Sequence, residues 1–229
     1  INSIKYMNST VANELYGLAK RSDPKTFMSL LTLMNNETSI DTRQRDILIK
    51  IDFFVDFGNV TELSRIASVF AFFKNGTAKK VQKDKISGQM LDVVSKYATD
   101  KNKNGTEAKS FTITDMAGLL DECEDVIKSL HLPDLDLKCK IQNQIELMGY
   151  IDLTTNKKED RRKLLITDVF PLSSKKDNTI WGYAVQTRSV GSGKASRLTI
   201  RSSVYAKAPI KRFDIIYAKE LEKNRSGYW

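Results

Sequence analysis

The side chains best placed for chemistry in this sequence are arginines set at alternating positions of two apolar runs. Ile180-Trp-Gly-Tyr-Ala-Val-Gln-Thr-Arg188 puts Trp181, Tyr183 and Val185 on one face of an extended chain. Ser196-Arg-Leu-Thr-Ile-Arg201 does the same with Leu198 and Ile200. Successive side chains of a strand point to opposite faces, so Arg188, Arg197, Thr199 and Arg201 fall together on the other side. A glycine turn, Gly191-Ser-Gly193, joins the two runs and ends in Lys194. A single arginine there reads as part of a solvated outer face. Three of them beside a lysine-ended turn point instead to a groove for a polyanion. Alternation sends Tyr183 inward, so Tyr205, in the following loop, is the aromatic expected to stack on a base.

The elements that must carry these residues are short β-rich runs separated by turn signals. Lys163-Leu-Leu-Ile-Thr-Asp-Val-Phe170, the two arginine runs, Phe213-Asp-Ile-Ile-Tyr217 and a start at Gly227-Tyr-Trp229 predict a small antiparallel barrel or sandwich. Upstream the periodicity changes to that of helices. Asn8, Ser9 or Thr10 caps a helix to about Lys20, and Asp23-Pro24 starts the next, with Phe27, Leu30, Leu31 and Met34 as its stripe. Asp41 and Gln44 have capping-box spacing ahead of a stripe of Ile47, Leu48, Ile51, Phe54 and Val55, which Gly58 closes. Thr61 opens a helix carrying Leu63, Ile66, Val69, Phe70 and Phe73, Thr114 opens one to about Leu130, and Pro133-Asp134 precedes a last one ending at Gly149. Between Lys74 and Ser110 the chain is polar and rich in lysine, with a helix expected over Gln89–Tyr97 and an exposed loop over Asp100–Gly105. The organisation expected is therefore a helical domain over 1–75, a lysine-rich linker with a short helix over 76–110, a helical connector over 111–150 and a β domain over 151–229.

Charge divides along the same line. The 229-residue chain carries a formal net charge of +9. Residues 1–150 hold 20 basic and 20 acidic side chains, whereas residues 151–229 hold 17 against 8, so the whole excess lies in the strand-rich part. A neutral helical part joined to a basic β part is the electrostatic signature of a nucleic-acid partner. No apolar run reaches the roughly 20 residues of a membrane span, and no signal-peptide pattern opens the chain, so a cytoplasmic protein without a membrane partner is expected. Ile1, in place of an initiator Met, suggests an excised fragment.

Other chemistries find little purchase. Cys123 and Cys139 are too few for a metal site and read as buried small hydrophobes. His131 is the single histidine and has no nucleophile marked beside it. Asp134-Leu-Asp136 could hold a metal, but it follows a proline at a helix start, where capping already favours aspartate. Gly191-Ser-Gly193-Lys194 joins two strands rather than a strand and a helix, unlike a phosphate-binding P-loop. No catalytic residue, metal site or cofactor is expected in this chain.

Two further stretches carry a resemblance. Thr42-Arg-Gln-Arg-Asp-Ile-Leu-Ile-Lys-Ile-Asp-Phe-Phe-Val-Asp-Phe-Gly-Asn59 resembles the segment that follows the tandem helix-hairpin-helix of bacterial family C replicative DNA polymerases, the DNA polymerase III alpha subunit. Leu48-Ile49-Lys50, Phe53-Phe54 and Phe57-Gly58-Asn59 keep its rhythm, and Phe27-Met-Ser-Leu-Leu31 is similar to the turn before it. Leu135–Ile151, with Glu146, Gly149 and Tyr150, resembles the helix by which that family enters its OB-fold, although Asp152-Leu-Thr-Thr155 replaces the usual tail.

The resemblance implies an α+β chain: an N-terminal all-helical, helix-hairpin-helix-like region followed by an antiparallel β-barrel of OB-fold type. It implies a non-catalytic C-terminal portion of a divergent Firmicute or phage polymerase. Such a portion would bind single-stranded template and duplex DNA, while Mg-dependent nucleotidyl transfer would belong to the parent enzyme. A freestanding OB-fold adaptor is the alternative. Tyr6-Met-Asn-Ser-Thr10 stands where the family's hairpin carries Gly-x-Gly, which favours a structural hairpin over a phosphate-binding one. The family's sliding-clamp peptide has its nearest counterpart in Met116, Leu119 and Leu120, and the same residues also read as an ordinary helix start.

Overall fold

The computed structural model describes residues 4–101, 106–153 and 158–219. It is an α+β chain of two compact units, Ile1–Gly149 and Tyr150–Trp229.

The first unit starts with four helices, α1 (Ser9–Arg21), α2 (Phe27–Glu37), α3 (Thr42–Lys50) and α4 (Val60–Phe72). Their starts are set by side chains that accept the first free amide hydrogens. Asn8 caps α1, Asp41 and Gln44 form a reciprocal capping box on α3, and Asn59 and Glu62 do so on α4. Two boundaries differ from expectation. α2 begins after Thr26, which forms a capping box with Ser29, so Asp23-Pro24 lies outside it. α3 ends at Lys50, and turns carry Ile51–Phe57; Phe54 goes into the core while Phe53 and Val55 stay exposed.

The lysine-rich stretch read as a linker is folded. It holds β1 (Lys80–Gln82), α5 (Gln89–Tyr97), β2 (Ala98–Lys101) and β3 (Glu107–Ile113), in a sheet of order β1-β3-β2 with antiparallel neighbours. Val81, Ile86, Val93, Val94 and Phe111 enter the same core as Phe27, Leu31, Leu48, Ile66 and Phe70. The lysines remain outside, and Lys83 joins Asp100 and Glu107 at 3.1 and 2.6 Å. Residues 102–105 of the expected loop lie outside the described residues.

Two helices complete the unit, α6 (Met116–Ser129) and α7 (Leu137–Met148). Asp115 caps α6, and Asp136 caps α7. Gly149 ends α7 at φ 76°, a left-handed conformation in which a side chain is strained. The carboxylate of Glu124, 1% exposed, accepts hydrogen bonds from the amides of Phe27 and Met28 at 3.0 and 2.6 Å. A residue of α6 thus satisfies the free N-terminal donors of α2. Cys123 is buried, and desolvation pushes its thiol up to about 11. Cys139, expected to be buried, is exposed on the first turn of α7.

The second unit is a curled antiparallel sheet with a much thinner core. β4 (Lys163–Ser173), β5 (Ile180–Ser189) and β6 (Ala195–Arg201) follow one another as a meander. One helical turn, α8 (Ser202–Tyr205), then leads to β7 (Ile215–Tyr217), which returns to the free edge of β4 and gives the order β6-β5-β4-β7. β4 is bulged between Ile166 and Asp168, so its alternation changes phase within the strand. Leu164, Ile166, Val185 and Leu198 form the buried core, flanked by Val169, Tyr183, Ile200 and Ile216. Gly227-Tyr-Trp229, expected to start a strand, lies outside the described residues.

Candidate nucleic-acid interface

Cross-strand partners in a sheet share a face, so the register identifies what surrounds the arginines. On the face opposite the core, Arg201 stands beside Gly182 and Leu172, and Thr199 beside Ala184 and Phe170. The next rows are Arg197, Gln186 and Asp168, then Ala195, Arg188, Leu165 and Ile215. Arg197, Thr199 and Arg201 are exposed, as is Lys194 at the β5–β6 turn. Among the described residues, Arg197, Arg201 and Lys194 make no ion pair or side-chain hydrogen bond. The turn before Lys194 is closed by Ser189 and Lys194, the Ser189 amide donating to the Lys194 carbonyl at 2.9 Å, with Gly193 at φ 68°. Its amides serve the hairpin, as expected for a strand turn.

Arg188 belongs to the same face but is already engaged. Its guanidinium donates to the Ile151 carbonyl and lies 3.6 Å from a carboxylate oxygen of Asp152, so it anchors the incoming chain. Tyr205 is a clearer correction. Its ring stacks on Tyr183 on the core side of the sheet, with centroids 3.8 Å apart, and its hydroxyl donates to the Ile210 carbonyl at 2.8 Å. It therefore helps cover the core, on the face of the sheet opposite Arg197 and Arg201. The one-turn helix α8 causes this by bringing position 205 back over β5, which strand periodicity cannot reveal.

Trp181 also departs from expectation. It is the extra residue where Leu172 pairs with Gly182 and Ser173 with Ile180, and it is 51% exposed instead of filling the core. Phe170 is the residue that sequence reading missed. The bulge at Ile166–Asp168 moves it to the arginine face, where it is 44% exposed. The signal that could have found it was a polar residue, Asp168, breaking the alternation of an otherwise apolar run.

The expected clamp residues lie elsewhere. Leu119 and Leu120 are buried in the core of the first unit, at 0% and 4% exposure, and Met116 packs against that core. Leu119 and Leu120 help hold α6 in place and present no surface to a sliding clamp, while Met116 is half-buried. Asp134 and Asp136 are occupied structurally. Asp136 accepts from the Cys139 amide, which holds its carboxyl below the usual range, and Asp134 accepts from the Val60 amide and pairs with Lys140. Among the described residues no cluster of His, Cys, Asp and Glu could hold a metal ion, and no helix is long and apolar enough to cross a membrane. Comparison with protein-family models, with curated proteins and with solved structures returns no match.

Proposed function

We propose that residues 150–229 form an OB-fold-like module that grips a nucleic-acid backbone without sequence preference. In this reading the chain is the non-catalytic, template-handling portion of a DNA polymerase III alpha-like replicative polymerase. The observation that carries the proposal is the exposed row Arg197, Thr199 and Arg201, with Lys194 at its end, without ion pairs among the described residues and on one face of a sheet. Several cations elsewhere are paired. Lys83, Lys96, Lys128, Lys140 and Lys163 all sit against carboxylates.

The order of elements supports the OB-like reading. Three meandering strands, a short helical turn and a strand returning to a bulged first strand are parts of a Greek-key barrel of that kind. In such barrels the second and third strands, here β5 and β6, carry the oligonucleotide face. The resemblance of Thr42–Asn59 and Leu135–Ile151 to the polymerase family supports the wider context.

Arginine contacts with phosphates release condensed counterions, with a log–log salt slope of about −0.7 per neutralised phosphate on a single strand. Fluorescence anisotropy with a labelled mixed-sequence oligonucleotide across a salt series tests the proposal. Arg197→Ala with Arg201→Ala should weaken binding and flatten the slope by about 1.4. A double variant that binds like the wild type at every salt concentration would make the arginine row a solvated surface and overturn the reading.

A further inference from the structure

Phe170 is an aromatic ring with an unusual floor. Directly across from it on β5 is Ala184, and the next residue on that face is Gly182. Neither side chain can rise above the sheet. Gly182 is held to its identity by packing, since a Cβ there would lie 2.8 Å from the Ile200 carbonyl oxygen. On the far side of β4, β7 pairs only with Lys163–Leu165, so among the described residues no strand flanks Phe170 there. Gly182 and Ala184 are both buried, Ala184 at 0%, so the exposed surface here is the Phe170 ring itself, 44% exposed, with Thr199 and Arg201 of β6 across β5 on the same face.

A bulky apolar ring exposed on the same sheet face as two arginines has a natural complement. It is a planar, weakly polar group attached to a phosphate chain, which describes an unpaired nucleobase. We infer that Phe170 is a base-stacking platform, and that this face selects single-stranded nucleic acid over duplex. The inference rests on the backbone-gripping reading above and adds the base to it. In a duplex the base faces are already stacked on their neighbours, whereas a single strand can present one to the ring while its phosphates meet Arg197 and Arg201. Asp168, two residues before Phe170 on the same face, is the one carboxylate in these rows. Its Oδ1 accepts from the Val169 amide at 2.9 Å.

Three probes separate base stacking from phosphate contact in the full chain. They are a labelled single strand, a duplex of the same length, and an abasic strand with the same number of phosphates. The wild-type chain should bind the base-bearing single strand more tightly than both others. Phe170→Leu should lose roughly tenfold in affinity for the base-bearing strand, with the salt slope unchanged and the abasic strand bound as before. Phe170→Trp should retain wild-type preference.

Wild-type binding that does not distinguish abasic from base-bearing strands would overturn the inference whatever the variants do. So would a folded Phe170→Leu chain with wild-type affinity. In either case a salt slope that still depends on Arg197 and Arg201 leaves the backbone-gripping reading standing. Failure of the wild-type chain to bind any strand would remove both.

Discussion

The two units of this chain differ in how their charge is balanced. In the first, basic and acidic side chains are equal in number and several cations are tied to carboxylates: Arg21 to Glu37, Lys83 to Asp100 and Glu107, Lys140 to Asp52 and Asp134. Lys140 shows the balance within one group. Burial pulls its pKa down, but the Asp134 and Asp52 carboxylates more than offset this and raise it overall. Arg45 is instead buried over the Phe70 ring at 5.7 Å, and among the described residues its Nε and Nη2 lack hydrogen-bond partners. In the second unit the arginines of β6 are exposed and, among the described residues, unpaired, and the core beneath them is thin. The contrast teaches that a surplus of charge points to a partner only where the fold leaves it unneutralised. Within the lysine-rich stretch 74–110, Lys83 is a fastener of the small sheet.

That contrast can be broken by perturbing each unit and watching the other. The largest effect expected is from Phe27→Ala. Phe27 is fully buried, and its ring meets Phe54 and Phe57 at centroid distances of 5.4 and 5.9 Å. Its loss should cost about 4 kcal/mol in denaturant melts. Oligonucleotide affinity and salt slope should persist under conditions where the second unit remains folded. If the slope collapses with the first unit, the two do not act separately.

Glu124→Ala comes next. It strands the amides of Phe27 and Met28 without acceptors and should cost about 3 kcal/mol. A loss below about 1 kcal/mol in the same melts would mean that water replaces the carboxylate and that the buried cap matters little.

The smallest effects sharpen the view of the second unit. Val185→Ala empties part of its core and should cost about 2 kcal/mol. Trp181→Ala, despite removing a larger side chain, should cost about 1 kcal/mol or less, because the ring is already half in solvent. A reversed order in thermal melts would place Trp181 back in the core.

Much of the fold was legible because local rules and tertiary packing agree. The capping box of Asp41 and Gln44 and the stripe Phe27, Leu31, Met34 lie where spacing puts them, whereas α4 and α6 start from Asn59 and Asp115 rather than from Thr61 and Thr114. Alternation correctly separated Val185, Leu198 and Ile200 from Arg197, Thr199 and Arg201. The small sheet of the first unit was hidden because β1 has three residues and buries only Val81, too little for a period to register. At the candidate site, alternation failed where the backbone broke phase, at the bulges beside Asp168 and Trp181, and where a single helical turn folded Tyr205 over Tyr183. The use of Arg188 as an anchor depends on residues more than thirty positions away, Ile151 and Asp152, which no local pattern reports.

The bond between Glu124 and the start of α2 has a consequence in time. Its partners are 97 and 96 positions apart along the chain, and the amide of Lys5 reaches further still, to the carbonyl of Leu147 at 2.7 Å. During synthesis α1 to α4 emerge long before the groups that complete them. At roughly 5 to 20 residues per second, α2 waits several seconds for its carboxylate. Until α6 appears, the apolar stripes of the early helices have no finished core to enter. The first unit therefore closes late and as a whole, and its nascent form is the state most in need of protection from aggregation.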